Sequence, residues 1–266
     1  MTDPARFADA GGVAWDFCDI SVPCLGVAVT QVRPTLLSRL RGRLGQQLFG
    51  QIPADRYAEM FPERGQRPPP FVVRIDGPPA APMLIVRLFG RAAELCGVVG
   101  EALEAVTGQG LIVPGRMTPL IAVGEVSIVH HSHVPIRNDV NEIVLRFVTP
   151  TCLGHDQFVP NSFLYHVATR IDRLALWQDG QPPLSQPDQI DFLTNSTMER
   201  RSWTRIAHRQ DGRQVPMEGY VGEMRLKGEL ATIMPFLSLC EVCHVGRHTT
   251  FGMGRSEIVP TYGSYT

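Results

Sequence analysis

The sequence predicts an α+β chain of two tandem ferredoxin-like (βαββαβ) domains, the first over residues 1–137 and the second over 138–266. Three observations predict it. The order strand, helix, strand, strand, helix, strand can be read twice in succession. A polar stretch from Val134 to Asn141, containing Pro135, separates the two readings. Apolar residues make up 44% of the 266, enough for a packed core.

Each element has its own warrant. Ser21 to Gln31 is apolar and β-branched, as a buried strand is. Pro34 opens a helix over Thr35–Phe49, with Leu36, Leu40, Leu44 and Leu48 as its core stripe. Asp55 to Pro70 reads as a polar, proline-rich connection. Phe71–Ile75 and Met83–Phe89 are strands around a Gly77-Pro78-Pro79 turn. Arg91–Val106 is a helix closed by Gly108-Gln109-Gly110, and Leu120–Val129 returns as a strand. In the second half, Glu142–Val148 alternates as a half-buried strand, and Asn161 or Ser162 caps a helix over Ser162–Trp177. Arg200–His208 and Gly219–Leu226 flank an Asp211-Gly212 hairpin turn. Ala231–Val245 is the last helix, with Pro235 near its start, and Phe251–Val259 the last strand.

Composition narrows the function classes. No run reaches the ~18 apolar residues of a membrane helix. Met1 to Gly12 lacks the basic and apolar regions of a signal peptide, so a cytoplasmic location is expected. A net charge of -1 counts against a nucleic-acid binder, but a single lysine, Lys227, stands among the 25 basic residues. Arginine is the better phosphate fork and base-stacker, although a GC-rich genome is the plainer source of the bias. Cys240-Glu-Val-Cys243-His244 matches a haem-attachment string, and Cys240, Cys243, His244 and His248 could in principle hold zinc. Their place in an apolar helical run favours core packing instead. His130-His131-Ser132-His133 is expected to end a strand in a loop, its side chains scattered to both faces rather than gathered on a metal.

The strongest local signal is Gly246-Arg-His-Thr-Thr-Phe-Gly-Met-Gly-Arg255, between the last helix and the last strand. Its glycines allow positive φ and close approach, and successive exposed N–H groups could cradle an anion beside Arg247 and Arg255. The alternative is a tight turn that packing requires.

Gly219-Tyr-Val-Gly-Glu223, Pro235-Phe-Leu-Ser-Leu239, His244-Val-Gly-Arg247 and Phe251-Gly-Met-Gly-Arg255 resemble the C-terminal signature of the CRISPR repeat-processing endoribonucleases of the RAMP superfamily. Leu40-Arg-Gly-Arg-Leu-Gly45 and Leu88-Phe-Gly-Arg-Ala-Ala93 carry the likeness into the first half. The resemblance implies a repeat hairpin of precursor CRISPR RNA as substrate and a reaction without metal or cofactor. The ribose 2′-hydroxyl attacks its own phosphate and leaves a 2′,3′-cyclic phosphate. It also implies other subunits of a CRISPR effector complex as partners. The alternative is a non-catalytic subunit that binds the RNA only.

Many members of that family carry a first-helix histidine after a glycine; here Gln46 follows Gly45, and no histidine precedes His130. Members from type IV CRISPR systems look most similar in this respect. Arg39, Arg43 and Gln46 share one helix face, while Arg41 points about 160° from Arg43. Arginine cannot act as a base but can stabilise a phosphorane, so Arg39, Arg43 and Arg247 are the candidate catalytic residues. Candidate RNA contacts are Arg33, Arg41 and Gln46 around the first helix and Gly246, His248, Thr249, Gly252, Gly254 and Arg255 in the loop. Arg201, Trp203, Arg205 and Arg209 join them from one strand face, where arginine and an aromatic suit phosphate and base.

Overall fold

The computed structural model describes residues 14–25, 34–62, 68–78, 81–111, 121–135, 140–154, 158–178, 192–207 and 213–259. In the first half, β1 (Trp15–Leu25) lies between β3 (Met83–Phe89) and β5 (Ser127–His133), with β2 (Phe71–Asp76) outside β3. The short β4 (Ile121–Ala122) pairs with the end of β1. In the second half, β6 (Glu142–Thr151) lies between β8 (Arg213–Gly228) and β9 (Ser256–Val259), with β7 (Phe192–Ala207) outside β8. Every pairing is antiparallel. The helices are α1 (Pro34–Leu48), α2 (Ala54–Met60), α3 (Cys96–Gly108), α4 (Pro160–Ala175) and α5 (Met234–Cys243). Both sheets thus have the same strand order, and the tandem ferredoxin-like class expected from the pattern is the one found.

The helices form where the apolar period placed them. Leu36, Leu40, Leu44 and Leu48 of α1 are all buried, each contributing roughly 1.5–3 kcal/mol. Along α3, Val99, Ala102, Leu103 and Val106 turn inward. Nearly all of α5 is buried, as a helix apolar on every side must be, and Pro235 sits in its first turn, where a missing N–H costs little. Cys240, Cys243 and His244 have no exposure at all. Burial pushes the Cys243 thiol up to about 12 and the Cys240 thiol higher still. Burial, with Arg74, Arg87 and Arg255 nearby, holds His244 neutral. The haem-like string is core.

Several boundaries differ from the sequence reading, each for a tertiary reason. β1 begins at Trp15, not Ser21, because Asp19 is tolerated inside the sheet once Arg87 pairs with it; residues 26–33, the rest of the expected strand, lie outside the described residues. The connection after α1 contains α2, whose Tyr57 donates from its hydroxyl to the Gly45 carbonyl at 3.0 Å. A 3-10 turn over Gly90–Leu95 precedes α3. His130 to His133 belong to β5 itself, not to a loop after it. β7 and β8 pair over sixteen residues each, beyond the expected hairpin, because the ladder satisfies a polar stretch that shows no apolar period; the Asp211-Gly212 turn lies outside the described residues. The last strand starts only at Ser256, since Thr249–Phe251 coil into a 3-10 turn and Gly252 and Gly254 take left-handed φ.

Candidate nucleic-acid interface

The glycine-rich loop is wedged between the two halves. It joins α5 to β9, and its 3-10 turn packs against α1 and β2 of the other half. Gly252 has φ +77°, and a Cβ there would overlap Leu37 Cδ1 of α1 and come 3.0 Å from the Val73 carbonyl oxygen of β2. Gly254, also at φ +77°, faces the Val245 carbonyl with no room for a methyl group. The Gly252 N–H donates to the Thr249 carbonyl at 3.0 Å and the Gly254 N–H to the Pro150 carbonyl at 3.0 Å. Both glycines are buried, and both amides are committed within the protein. What the loop presents outward is Gly246, Arg247 and His248; Thr249 is buried.

Phe251, only 7% exposed, is where the elements meet. The Arg41 guanidinium of α1 lies 5.3 Å from its ring centroid and 5.4 Å from that of Phe61. The His248 imidazole stacks on it at 5.5 Å. Met217 of β8 and Met253 form a small cluster with it, and Trp203 of β7 packs against that cluster. The rings of Phe61, Tyr57 and Phe49 continue the column, and Phe49 is 73% exposed. Stacked rings and a guanidinium sandwiched between aromatics are mutually favourable, roughly 0.5–2 kcal/mol per contact. The result is one continuous surface of α1, loop and β7.

The α1 arginines diverge as the helical period requires. Arg41 turns to the loop, Arg43 and Gln46 are exposed, and Arg39 is half-buried. Arg247 sits on the other flank of the loop. Its N–H donates to the Cys152 carbonyl at 2.8 Å, and its guanidinium lies over Gly154, beside a cleft lined by Arg200, Glu218 and Tyr220. The loop therefore meets α1 through Phe251 and Gly252, and Arg247 faces the β6–β8 side. On β7, Arg201 is 58% exposed and paired with Glu199 at 2.7 Å, and Arg200 pairs with Glu218. Trp203 is half-buried against Met217, and its indole N–H meets no acceptor among the described residues. Arg205 stands opposite Val215 in the ladder. Arg33 and Arg209 lie outside the described residues.

A buried ionic network holds the halves in register beneath this surface. Arg87 of β3 donates to both Asp19 oxygens of β1, at 2.7 and 2.8 Å, and Arg74 of β2 adds a third bond at 3.0 Å. Arg74 also donates to Asp76, and Asp76 accepts from Arg255, just past the loop. Arg255 further donates to Glu257 at 2.9 Å, so its guanidinium serves this network. Burial pushes Asp19 up, but the Arg87 hydrogen bonds and the charges of Arg87 and Arg74 outweigh it and hold the carboxyl below its ordinary value. Arg87 donates to the Val242 carbonyl at 3.1 Å and Arg170 to the Cys243 carbonyl at 3.3 Å. These are orphan carbonyls at the negative end of α5, where cations belong. The two arginines come from opposite halves, a pairing that no sequence pattern announced.

Of the histidine run, His131 stacks on Phe17 and faces Asp19, whereas His130 stands opposite Cys18 in the ladder.

The comparisons with known proteins agree with this architecture. Residues 145–256 match the family model described as CRISPR-associated endoribonuclease Cas6, a span that contains the Gly219–Arg255 signature. No curated protein matches the chain. Among solved structures, a Cas6 (TTHA0078) product complex is similar with a TM-score of 0.56 at 18% identity, over 92% of this chain and 100% of that one. A Cas6 (TTHB231) product complex scores 0.57 at 14% identity, over 91% and 99%. Thermus thermophilus Cas6 (TTHB231) scores 0.50 at 12% identity, over 93% and 100%. At such identities the likeness concerns the fold.

Proposed function

We propose that this chain, a Cas6-family protein by its residues 145–256, binds the repeat hairpin of precursor CRISPR RNA and cuts it by metal-independent attack of a 2′-hydroxyl on the adjacent phosphate. The observation that carries the reading is the meeting at Phe251 of an arginine-bearing helix, a glycine-rich loop and an arginine-bearing hairpin. The similar product complexes support RNA as the ligand.

Within this reading the division of the chain near residue 137 makes two cooperating domains. Arg39 and Arg43 orient the scissile phosphate and stabilise the charge that develops on it. Arg247 grips the strand on the far side of the loop. Arg201, Arg205 and Trp203 hold the hairpin stem, with Arg33, Arg41, Gln46 and Arg209 as further contacts. Gly246 and His248 form the RNA-facing part of the loop, with the buried Thr249 packed beneath them, while Gly252 and Gly254 build the junction behind it and Arg255 anchors it. A guanidinium cannot accept the 2′-hydroxyl proton. An imidazole can, and His248 is linked to α1 through Phe251 and Arg41. After cleavage the product stays bound and enters an effector complex.

The test is incubation of repeat RNA with the protein in EDTA. The expected product ends in a 2′,3′-cyclic phosphate, and Arg39→Ala and Arg43→Ala slow single-turnover cleavage by about 10²- to 10³-fold each at unchanged affinity. Tight binding with no cut would instead establish an RNA-binding subunit, the reading favoured by the absence of a histidine on α1.

A further inference from the structure

Cys18, Cys96 and His130 come from three separate elements and converge at one point. Cys18 lies in β1, with Cys152 and the RNA-facing loop far off in the other half's sequence; His130 is its cross-strand partner in β5. Cys96 is the first residue of α3, which packs over that face of the sheet. The two sulfurs and one imidazole nitrogen all lie within 4.8 Å of one another, and the Cys96 sulfur is 3.9 Å from His130 Nε2. Among the described residues this is the group of histidines, cysteines and carboxylates that clusters so closely.

We propose that Cys18, Cys96 and His130 form a zinc site in the first half of the chain, with water in the fourth position. Tetrahedral zinc, with bonds of about 2.3 Å to sulfur and 2.0–2.1 Å to nitrogen, places its ligand atoms roughly 3.5–3.8 Å apart. The Cys96–His130 pair already stands close to that spacing. Two thiolates and an imidazole are the donor set that selects zinc over magnesium or calcium. Cys18 is sealed in the core, Cys96 half-buried and His130 exposed, so the site is anchored at its base and open to solvent at its mouth. The ion would tie the edge strand β5 to β1 and α3. Because side chains alternate along β1, Cys18 faces α3 while Asp19 faces the junction with the second half. The site is therefore separated by the sheet from the candidate RNA surface, and chelation should leave RNA cleavage intact.

The test uses the full chain, reduced and stripped of metal, titrated with Co²⁺ and then with Zn²⁺. One equivalent of Co²⁺ should give thiolate-to-cobalt charge-transfer absorption and the intense visible bands of tetrahedral cobalt, both displaced by Zn²⁺. Cys96→Ser and His130→Ala should weaken binding by more than about 100-fold, while Cys152→Ser leaves it unchanged. His130 is exposed, so its alanine variant should keep the native circular dichroism and remain a fair test if Cys96→Ser unfolds. Absence of the charge-transfer band in the wild type, or its survival in folded His130→Ala, overturns the proposal. So does a Cys18–Cys96 disulfide by mass spectrometry in air together with no metal uptake when reduced.

Discussion

Replacing Gly252 by alanine separates two uses of the glycine-rich loop, close packing against α1 and close approach to a phosphate. The backbone at Gly252 has φ +77°, and the added methyl would overlap Leu37 Cδ1 and crowd the Val73 carbonyl. Forcing an L-residue into the left-handed region costs about 1–2 kcal/mol. Overpacking at a buried contact adds about 1–3 kcal/mol. Gly252→Ala should therefore lose roughly 2–5 kcal/mol, seen as a lower urea midpoint with an unchanged slope. Leu37→Ala removes the overlapping atom. In that background the glycine change should cost the dihedral part and the milder crowding of the Val73 carbonyl, so the double-mutant cycle should return a coupling of about 1–3 kcal/mol. Affinity of the folded fraction for hairpin RNA should not change, because the Gly252 amide already donates to Thr249. Stability unchanged within about 0.5 kcal/mol, together with weakened RNA binding, would refute this reasoning and return Gly252 to the phosphate site.

Arg87→Met should destabilise by about 3 kcal/mol in thermal or chemical unfolding, because it strips a buried carboxylate of its main partner, and the double change Asp19→Leu/Arg87→Met should recover part of that loss. The depressed Asp19 pKa makes its contribution fully present above the ordinary carboxylate value and lost as pH falls through the lower folded value. The urea midpoint should accordingly drop in acid for the wild type and less steeply for Asp19→Asn. Asp172 on α4 behaves in the opposite sense: burial raises it to about 6, so the folded state holds its proton longer and stability declines as pH rises from the ordinary carboxylate value to about 6. Asp172→Asn should stabilise by about 1 kcal/mol at pH 7.5, after allowance for its partial exposure, and by nothing near pH 4. Arg201→Ala should weaken hairpin binding and lower the slope of log affinity against log salt by about one, since the exposed Glu199 pair is readily exchanged for a phosphate.

The first-helix arginines show how far periodicity reaches. The 100° step separated Arg41 from Arg43, and the structure keeps them apart, Arg43 in solvent and Arg41 on Phe251. What Arg41 touches could not be read, because Phe251 follows it by more than two hundred residues. The loop illustrates the converse. Three closely spaced glycines announced positive φ, and Gly246, Gly252 and Gly254 all adopt it. The pattern could not say whether the freed space holds a phosphate or a leucine, since both need the same missing Cβ. The apolar reading began the first strand at Ser21, past Asp19, and it is Arg87 of β3 and Arg74 of β2 that make Asp19 welcome inside the sheet.

Local chemistry in the chain determined the element types, the repeated strand–helix order and the helical core stripes, because apolar period and turn residues act over a few neighbours. Tertiary structure alone decided that a buried ionic network and the bond from Arg87 to the Val242 carbonyl lock the halves together, and that Cys18, Cys96 and His130 share one point. Those contacts join residues remote in sequence, and their partners are chosen by packing and charge in three dimensions, which no one-dimensional spacing encodes.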